Sequence, residues 1–263
     1  MNEFFLRPTV EDDIEQIIKI WNEAFGDSEE FILALKENCR LIQNGVCAES
    51  EGKGRAFMFA FDGLEFGGKA ASYIYGLCTQ VEYRRKGMGK ALVIYAAQQA
   101  ADRGAELVFL RPADKKLEAW YAASLNARPF APIATKKLIP SLSPEFAAVE
   151  ISADEYFEKR LGDSWKLSSE IVFAESIVHH FYGGAFLRCG ECYVCAEKCG
   201  DGLYLREIIG RETSLAISAA AEKFGAKEVF IPLPSSEGLP LMFIPPFSQE
   251  NISTIPLMPF TLD

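Results

Sequence analysis

Apolar side chains fall at Ile14, Ile17, Ile18, Trp21 and Phe25, three and four positions apart. That is the spacing of one face of a helix. Thr9 can cap its start, the acids Glu11, Asp12 and Asp13 suit a first turn, and Gly26 ends it. Ahead of it, Phe4 to Arg7 reads as a short strand closed by Pro8, and Asp27-Ser28-Glu29-Glu30 opens a second helix to about Cys39. The pattern then changes to alternating and unbroken apolar runs over about 44–49, 55–61 and 70–79, with glycine-rich turns at 52–54 and 62–68. These runs predict three strands.

A helix over about Met88–Arg103 stops at Gly104. LVFL at 107–110 is a strand, and Asp114–Ser124 a helix ending near Asn126. The stretch PSLSPEFA at 140–147 carries no period and divides the chain into expected domains 1–143 and 144–263. Beyond it come helices at 153–162 and 168–182, strands at 185–189, 192–198 and 203–209, a helix at 213–224 closed by Gly225, and the strand Glu228–Ile231. The order of element types resembles that of residues 27–110 while the identities do not match, so the expectation is an architectural repeat. The proline-rich tail from 232 is expected to be irregular or to lie at a sheet edge.

Composition changes this picture little: 49% hydrophobic and 24% charged is ordinary for a globular chain. The net charge of −10 speaks against nucleic acid and acidic membrane surfaces as partners and suits a cationic amine. No apolar run approaches the roughly 18–20 residues that span a bilayer, and the N-terminus lacks the basic-then-apolar order of a signal peptide. The reading is a cytoplasmic protein, monomer or homodimer. Cys39, Cys47 and Cys78 are scattered and the total of seven cysteines is odd, which argues against a disulfide framework.

The other four cysteines fall in CGECYVCAEKC at 189–199, with the C-x2-C-x2-C-x3-C spacing of an iron–sulfur run. Its surroundings read as a β-meander with Gly-Glu and Gly-Asp-Gly turns, and Cys192 and Cys195, three apart on one strand, then point to opposite faces. No metal is expected there. The cysteines read as small buried hydrophobes.

The chemistry lies in YIYGLCTQVEYRRKGMGKALV, residues 73–93. A strand enters a basic Gly-x-Gly turn that opens a helix. Glycines let the backbone approach a ligand, and the free amides and dipole of a helix start attract a pyrophosphate. Arg84, Arg85, Lys86 and Lys90 crowd the same point. The spacing is neither a Rossmann fingerprint nor a Walker A loop, which leaves a bulky anionic cofactor or a basic surface turn.

Arg84-Arg85-Lys86-Gly87-Met88-Gly89 fits the R/Q-x-x-G-x-G/A acetyl-CoA signature, and the chain resembles the GNAT acetyltransferase superfamily over roughly residues 3–130. Glu82-Tyr83-Arg84 is similar to its P-E-Y-R lead-in, with Val81 in place of proline. FLRPTVEDDIEQIIKIWNEAFGD and LVFLRPADKKLEAWY are similar to its first strand and helix and to its fifth strand and following helix. The resemblance implies an α/β (α+β) GNAT fold, a mixed central sheet flanked by helices, followed by a second, smaller GNAT-like α/β domain.

It also implies an acetyl-CoA-dependent N-acetyltransferase acting on a primary amine of a small molecule or peptide. The alternative is a non-catalytic acetyl-CoA sensor, with a metal centre at the 189–199 cysteines as one variant. By position, Leu77, Cys78 and Thr79 would hold the pantetheine arm through backbone groups. Arg84, Arg85, Lys86, Gly87, Met88, Gly89 and Lys90 would cradle the pyrophosphate. Asp114 stands where the family has a cofactor-side asparagine, and Leu125-Asn126 where it has Gly-Phe. A β-bulge in the fourth strand is implied but not visible in the sequence.

Tyr121 matches the family's general acid, and also fits a core aromatic beside Trp120. No carboxylate lies on LVFL. Glu23, Asp27 and Glu82 are chemically able bases but read first as solvated charges, and Asp263 is a further candidate through the chain's terminal carboxylate. His179-His180 read as cap or packing residues. Tyr73 and Tyr75 alternate with Ile74, so their shared face either lines an acceptor site or is core. The second half has RETSLA where a cofactor loop would be, and is expected to cover the acceptor groove of the first.

Overall fold

The predicted first helix forms as α1, Ile14–Phe25, and ends at Gly26 in the left-handed conformation, φ 80°. Its buried face is Ile17, Ile20 and Trp21. The second, α2 (Glu29–Asn38), is capped by the Ser28 hydroxyl, which accepts from the Phe31 amide. The computed structural model describes residues 4–140, 144–160 and 165–244.

Strands β1 (Phe5–Pro8), β2 (Gly45–Ser50), β3 (Lys53–Phe66) and β4 (Lys69–Thr79) form an antiparallel meander with β1 at its edge. The turn expected over 62–68 is shorter: β3 runs on to Phe66, and Gly67-Gly68, with φ 56° and 82°, make the reversal. Next come α3 (Met88–Asp102), β5 (Leu107–Leu110), α4 (Lys115–Leu125) and β6 (Arg128–Leu138).

The second half contributes β7 (Ala148–Ile151), α5 (Ala153–Lys159), β8 (Trp165–Leu167), α6 (Ser169–Phe181), β9 (Gly184–Cys189), β10 (Cys192–Cys199), β11 (Gly202–Ile209), α7 (Thr213–Phe224), β12 (Val229–Pro234) and β13 (Leu239–Phe243). One mixed sheet runs through the described residues in the order β1-β2-β3-β4-β5-β13-β6-β12-β11-β10-β9-β7, with β8 on the end of β3. Only β4–β5 and β11–β12 are parallel among the described pairs.

This order corrects the reading of the tail. Residues 239–243 are not at an edge: β13 lies between β5 and β6, antiparallel to both. Leu241 and Phe243 enter the core under α1 and α6, while Met242 and Ile244 enter the core under α3. Pro240 is tolerated because the register breaks between Leu239 and Leu241, where no ladder amide is needed. Residues 245–263, including the candidate Asp263, lie outside the described residues.

Strand β6 escaped the sequence pattern because Pro129 and Pro132 interrupt it. It changes partner around Ala131, φ 43°: Arg128–Phe130 pair with β13 and Ile133–Leu138 with β12. The halves thus interlock, each of β5 and β12 being flanked by a strand from the other half.

The cysteine run divides as the strand period requires. Cys189 and Cys192 face α7 with Leu187 and Val194, whereas Cys195 packs on the opposite face with Tyr156 and Phe186. His179 lies buried in the last turn of α6, with Nε2 2.8 Å from Cys195 Sγ. No helix among the described residues is long and apolar enough to cross a membrane.

Candidate active site

The ladder between β3 and β4 fixes the site. Phe57 opposes Cys78 and Phe59 opposes Tyr75, so two steps along β3 match three along β4. The extra residue makes the bulge at Gly76-Leu77, and Gly76 adopts φ 64°. A glycine inside a strand pattern was the one signal in the sequence that could have placed it.

A Cβ at Gly76 would lie 2.8 Å from two ring carbons of Trp21 and 3.2 Å from Phe59, so the bulge needs glycine for both conformation and space. β4 pairs with β5 only from Ala71–Leu107 to Tyr73–Phe109. Beyond that the strands part, and β5 continues against β13 instead.

At the end of β4, Val81–Tyr83 form a single 3-10 turn, and Arg85 takes a left-handed φ of 61°. Gly87 follows at φ 88° as the N-cap of α3, with no side chain capping the helix. The first helical bond runs from the Ala91 amide to the Gly87 carbonyl at 3.1 Å, so the amides of Met88, Gly89 and Lys90 precede it. A Cβ at Gly89 would meet nothing closer than 3.9 Å, which leaves the helix start open to a bulky anion.

Arg84, Arg85, Lys86 and Lys90 are exposed around this point. Arg84 donates through Nε to the Thr79 carbonyl at 3.0 Å, tying the loop back to β4. Lys86 lies 4.3 Å over the ring of Tyr83, whose hydroxyl donates to Glu51 at 2.7 Å. Cys78 is buried, and burial pushes its thiol up to about 12, so the side chain is a neutral core group. Asp114 caps α4, accepting from the Leu117 amide at 2.7 Å. That contact alone accounts for an acid at this position.

A cavity of about 540 Å³ opens where β4 and β5 part. Leu77, Tyr73, Tyr75 and Tyr121 line it from the first half, so the tyrosine face of β4 belongs to the cavity wall. Tyr121 is 6% exposed on α4 and packs edge-on against Trp120 at 4.9 Å. Tyr182, Tyr204 and Arg206 line the cavity from the second half.

Of the three candidate carboxylates among the described residues, only Asp27 lines this space. Glu23 on α1 and Glu82 in the 3-10 turn are exposed to solvent. Asp27 accepts from Trp21 Nε1 at 2.7 Å and from the Tyr182 hydroxyl at 2.9 Å, one oxygen each. Burial and this bond to Asp27 push the Tyr182 phenol well above its ordinary value, so it stays a donor. Trp21 is itself clamped by Phe59 at 5.3 Å and Tyr75 at 5.4 Å. Sequence reading missed Tyr182 and Arg206, since nothing near either in the chain marks it as facing the first half.

A mixed sheet opened between two parallel strands, with an uncapped helix start at the strand end, defines the class: an α/β protein with a mixed central sheet flanked by helices. Residues 6–118 match the family described as an acetyltransferase (GNAT) domain. No curated protein matches the sequence. Among solved structures, the chain is similar to a GCN5-related N-acetyltransferase from Kribbella flavida, with a TM-score of 0.68 at 15% identity, covering 92% of this chain and 70% of that one.

It is also similar to Eis1 from Mycobacterium abscessus, with a TM-score of 0.61 at 11% identity, covering 88% of this chain and 66% of that one. A GCN5-related N-acetyltransferase from Anabaena variabilis gives 0.60 at 15% identity, covering 92% and 72%. At such identities the likeness is one of fold, and the mixed sheet with flanking helices is the fold they share.

Proposed function

We propose that the protein transfers the acetyl group of acetyl-CoA to a primary amine of a small molecule or peptide. The observation that carries this reading is the cavity at the β4–β5 opening, lined by Tyr121 and Asp27 from the first half and by Tyr182 from the second. The open start of α3 and the left-handed pair Arg85 and Gly87 fit a pyrophosphate. Arg84, Arg85, Lys86 and Lys90 supply the charge, and the Met88 and Gly89 amides the directed donors. The backbone of Leu77, Cys78 and Thr79 receives the pantetheine arm along the splayed strand. Asp114 serves this arrangement by fixing the start of α4, the helix that carries Tyr121.

When bound, acetyl-CoA supplies an acetyl group activated as a thioester. Asp27 takes the proton that an ammonium must lose before it can attack, and Tyr121 gives its phenolic proton to the sulfur that leaves. The second half walls one side of the cavity, which reduces its exposure to water and strengthens both interactions. We read the chain as two GNAT-like halves, 1–143 and 144–263, with only the first keeping a cofactor loop. No metal takes part in the steps assigned to these residues.

The test is acetyl-CoA-dependent release of free thiol across a panel of amines. The expected result is turnover with at least one amine and a fall in kcat of about 100-fold in Tyr121→Phe, with acetyl-CoA affinity retained. Tight acetyl-CoA binding without turnover on any amine would instead identify a sensor, and no binding at millimolar ligand would overturn both readings of the loop.

A further inference from the structure

Three charged side chains line the cavity among the described residues, Asp27, Arg111 and Arg206, and two of them are cationic. The whole chain carries −10, so the cavity's charge is opposite in sign to that of the chain as a whole. An acidic surface attracts any amine; the cavity wall discriminates further.

The acidic end is Asp27. Its carboxylate is held by two neutral donors, the Trp21 indole and the Tyr182 phenol, and no ion pair with it occurs among the described residues. Trp21, Phe25, Tyr75 and Tyr182 line the cavity with it. A carboxylate amid aromatic faces is a receptor for an ammonium group.

The cationic end is Arg206. The β10–β11 ladder pairs Cys195 with Glu207 and Ala196 with Leu205, so Arg206 is the extra residue of a bulge. It is only 8% exposed, yet it lines the cavity. Behind it, Glu197 Oε1 stands 2.8 Å from Arg206 Nε and 2.7 Å from His179 Nδ1. The cation is thus fixed from the protein side by a buried carboxylate that α6 also holds. A guanidinium has five N–H donors in a rigid fork, more than one carboxylate oxygen takes up, and Arg206 presents part of its surface to the cavity.

We propose that the acceptor is an amine that also bears an anionic group, its ammonium held at Asp27 and its carboxylate or phosphate at Arg206. Arg111, after the last residue of β5, adds a second cation to the same wall. Polyamines and multiply charged amino sugars are disfavoured by these guanidinium groups, through repulsion rather than lack of space. The inference rests on the N-acetyltransferase reading above.

The test compares matched acceptors with the full chain: phenylalanine against phenylalaninamide and 2-phenylethylamine, phosphoethanolamine against ethanolamine, and spermidine. The expected result is a kcat/KM at least about tenfold higher for the anionic member of one series, with spermidine among the poorest. Which series responds distinguishes carboxylate from phosphate. In Arg206→Gln the ratio of kcat/KM between the anionic amine and its neutral counterpart collapses towards one, through KM for the anionic amine. The Arg206→Gln/Glu197→Gln double variant removes both charges of the buried pair and serves where the single variant does not fold. Acetylation of neutral amines and spermidine as well as anionic ones by the unaltered protein overturns this proposal and leaves the N-acetyltransferase reading standing. A preference that survives loss of Arg206 also overturns it, and no acetylation of any amine overturns both.

Discussion

Gly76→Ala is the sharpest probe of how the bulge builds the site. Alanine at φ 64° carries a left-handed strain of about 1–2 kcal/mol. Its Cβ would also lie 2.8 Å from two carbons of the Trp21 ring, which has no room to retreat between Phe59 and Tyr75. Overpacking of this kind costs about 1–3 kcal/mol. Together these give a loss of about 2–5 kcal/mol, which in a domain of this size lowers Tm by roughly 5–15 °C.

Any shift of Trp21 moves the indole that holds Asp27, so amine turnover falls beyond what the lost stability explains. Gly87→Ala is the control. It meets the same backbone strain at φ 88°, but a Cβ there has nothing within 4 Å, so its loss stays at about 1–2 kcal/mol. Thermal melts and urea titrations of the two variants side by side decide the matter. Equal losses for both, or unchanged amine turnover in folded Gly76→Ala, would refute the reasoning from the bulge to Trp21 to Asp27.

Three further outcomes follow from the same structure. Asp27→Asn keeps the size but puts an N–H against a Trp21 or Tyr182 donor; kcat/KM for the amine should fall about 100-fold while calorimetry finds acetyl-CoA binding unchanged, and full activity would exclude Asp27 as the base. Burial pushes the Glu175 carboxyl from 4.5 to about 7 against the pull of Arg160, so the folded chain keeps a proton that the unfolded chain loses. Stability therefore falls by up to about 3 kcal/mol as pH rises from about 4.5 to about 7, and Glu175→Gln should remove that slope in urea titrations at pH 5 and 8. Residues 1–143 expressed alone lose β13, whose Leu241, Met242 and Phe243 each bury roughly 2 kcal/mol of apolar contact and whose Phe243 ring stacks 3.8 Å from Phe130. Size exclusion should then find aggregate, and a monomer with a cooperative melt would contradict the interlocked sheet.

By itself, the sequence determined what depends on near neighbours. The period of Ile14 to Phe25, the Gly26 stop, the opening of a second helix at 27–30 and the Gly-x-Gly helix start are local events, and each appears where the pattern put it; the Thr9 cap does not form, because its hydroxyl donates to the distant Ile42 carbonyl instead. The alternation that sends Cys192 and Cys195 to opposite faces is equally local, and it was enough to set aside a metal-like spacing.

Tertiary structure decided whatever depends on partners distant in the chain. Pro240 marks a strand as unsuitable for a sheet centre only while its neighbours are unknown; between β5 and β6 a register break absorbs it. Among Glu23, Asp27 and Glu82 the chemistry is the same, and only the arrival of Tyr182, 155 residues on, marks out Asp27. Arg206 became a cavity residue for the same reason. Hydrophobic period records which face of an element is buried, but not which other element buries it.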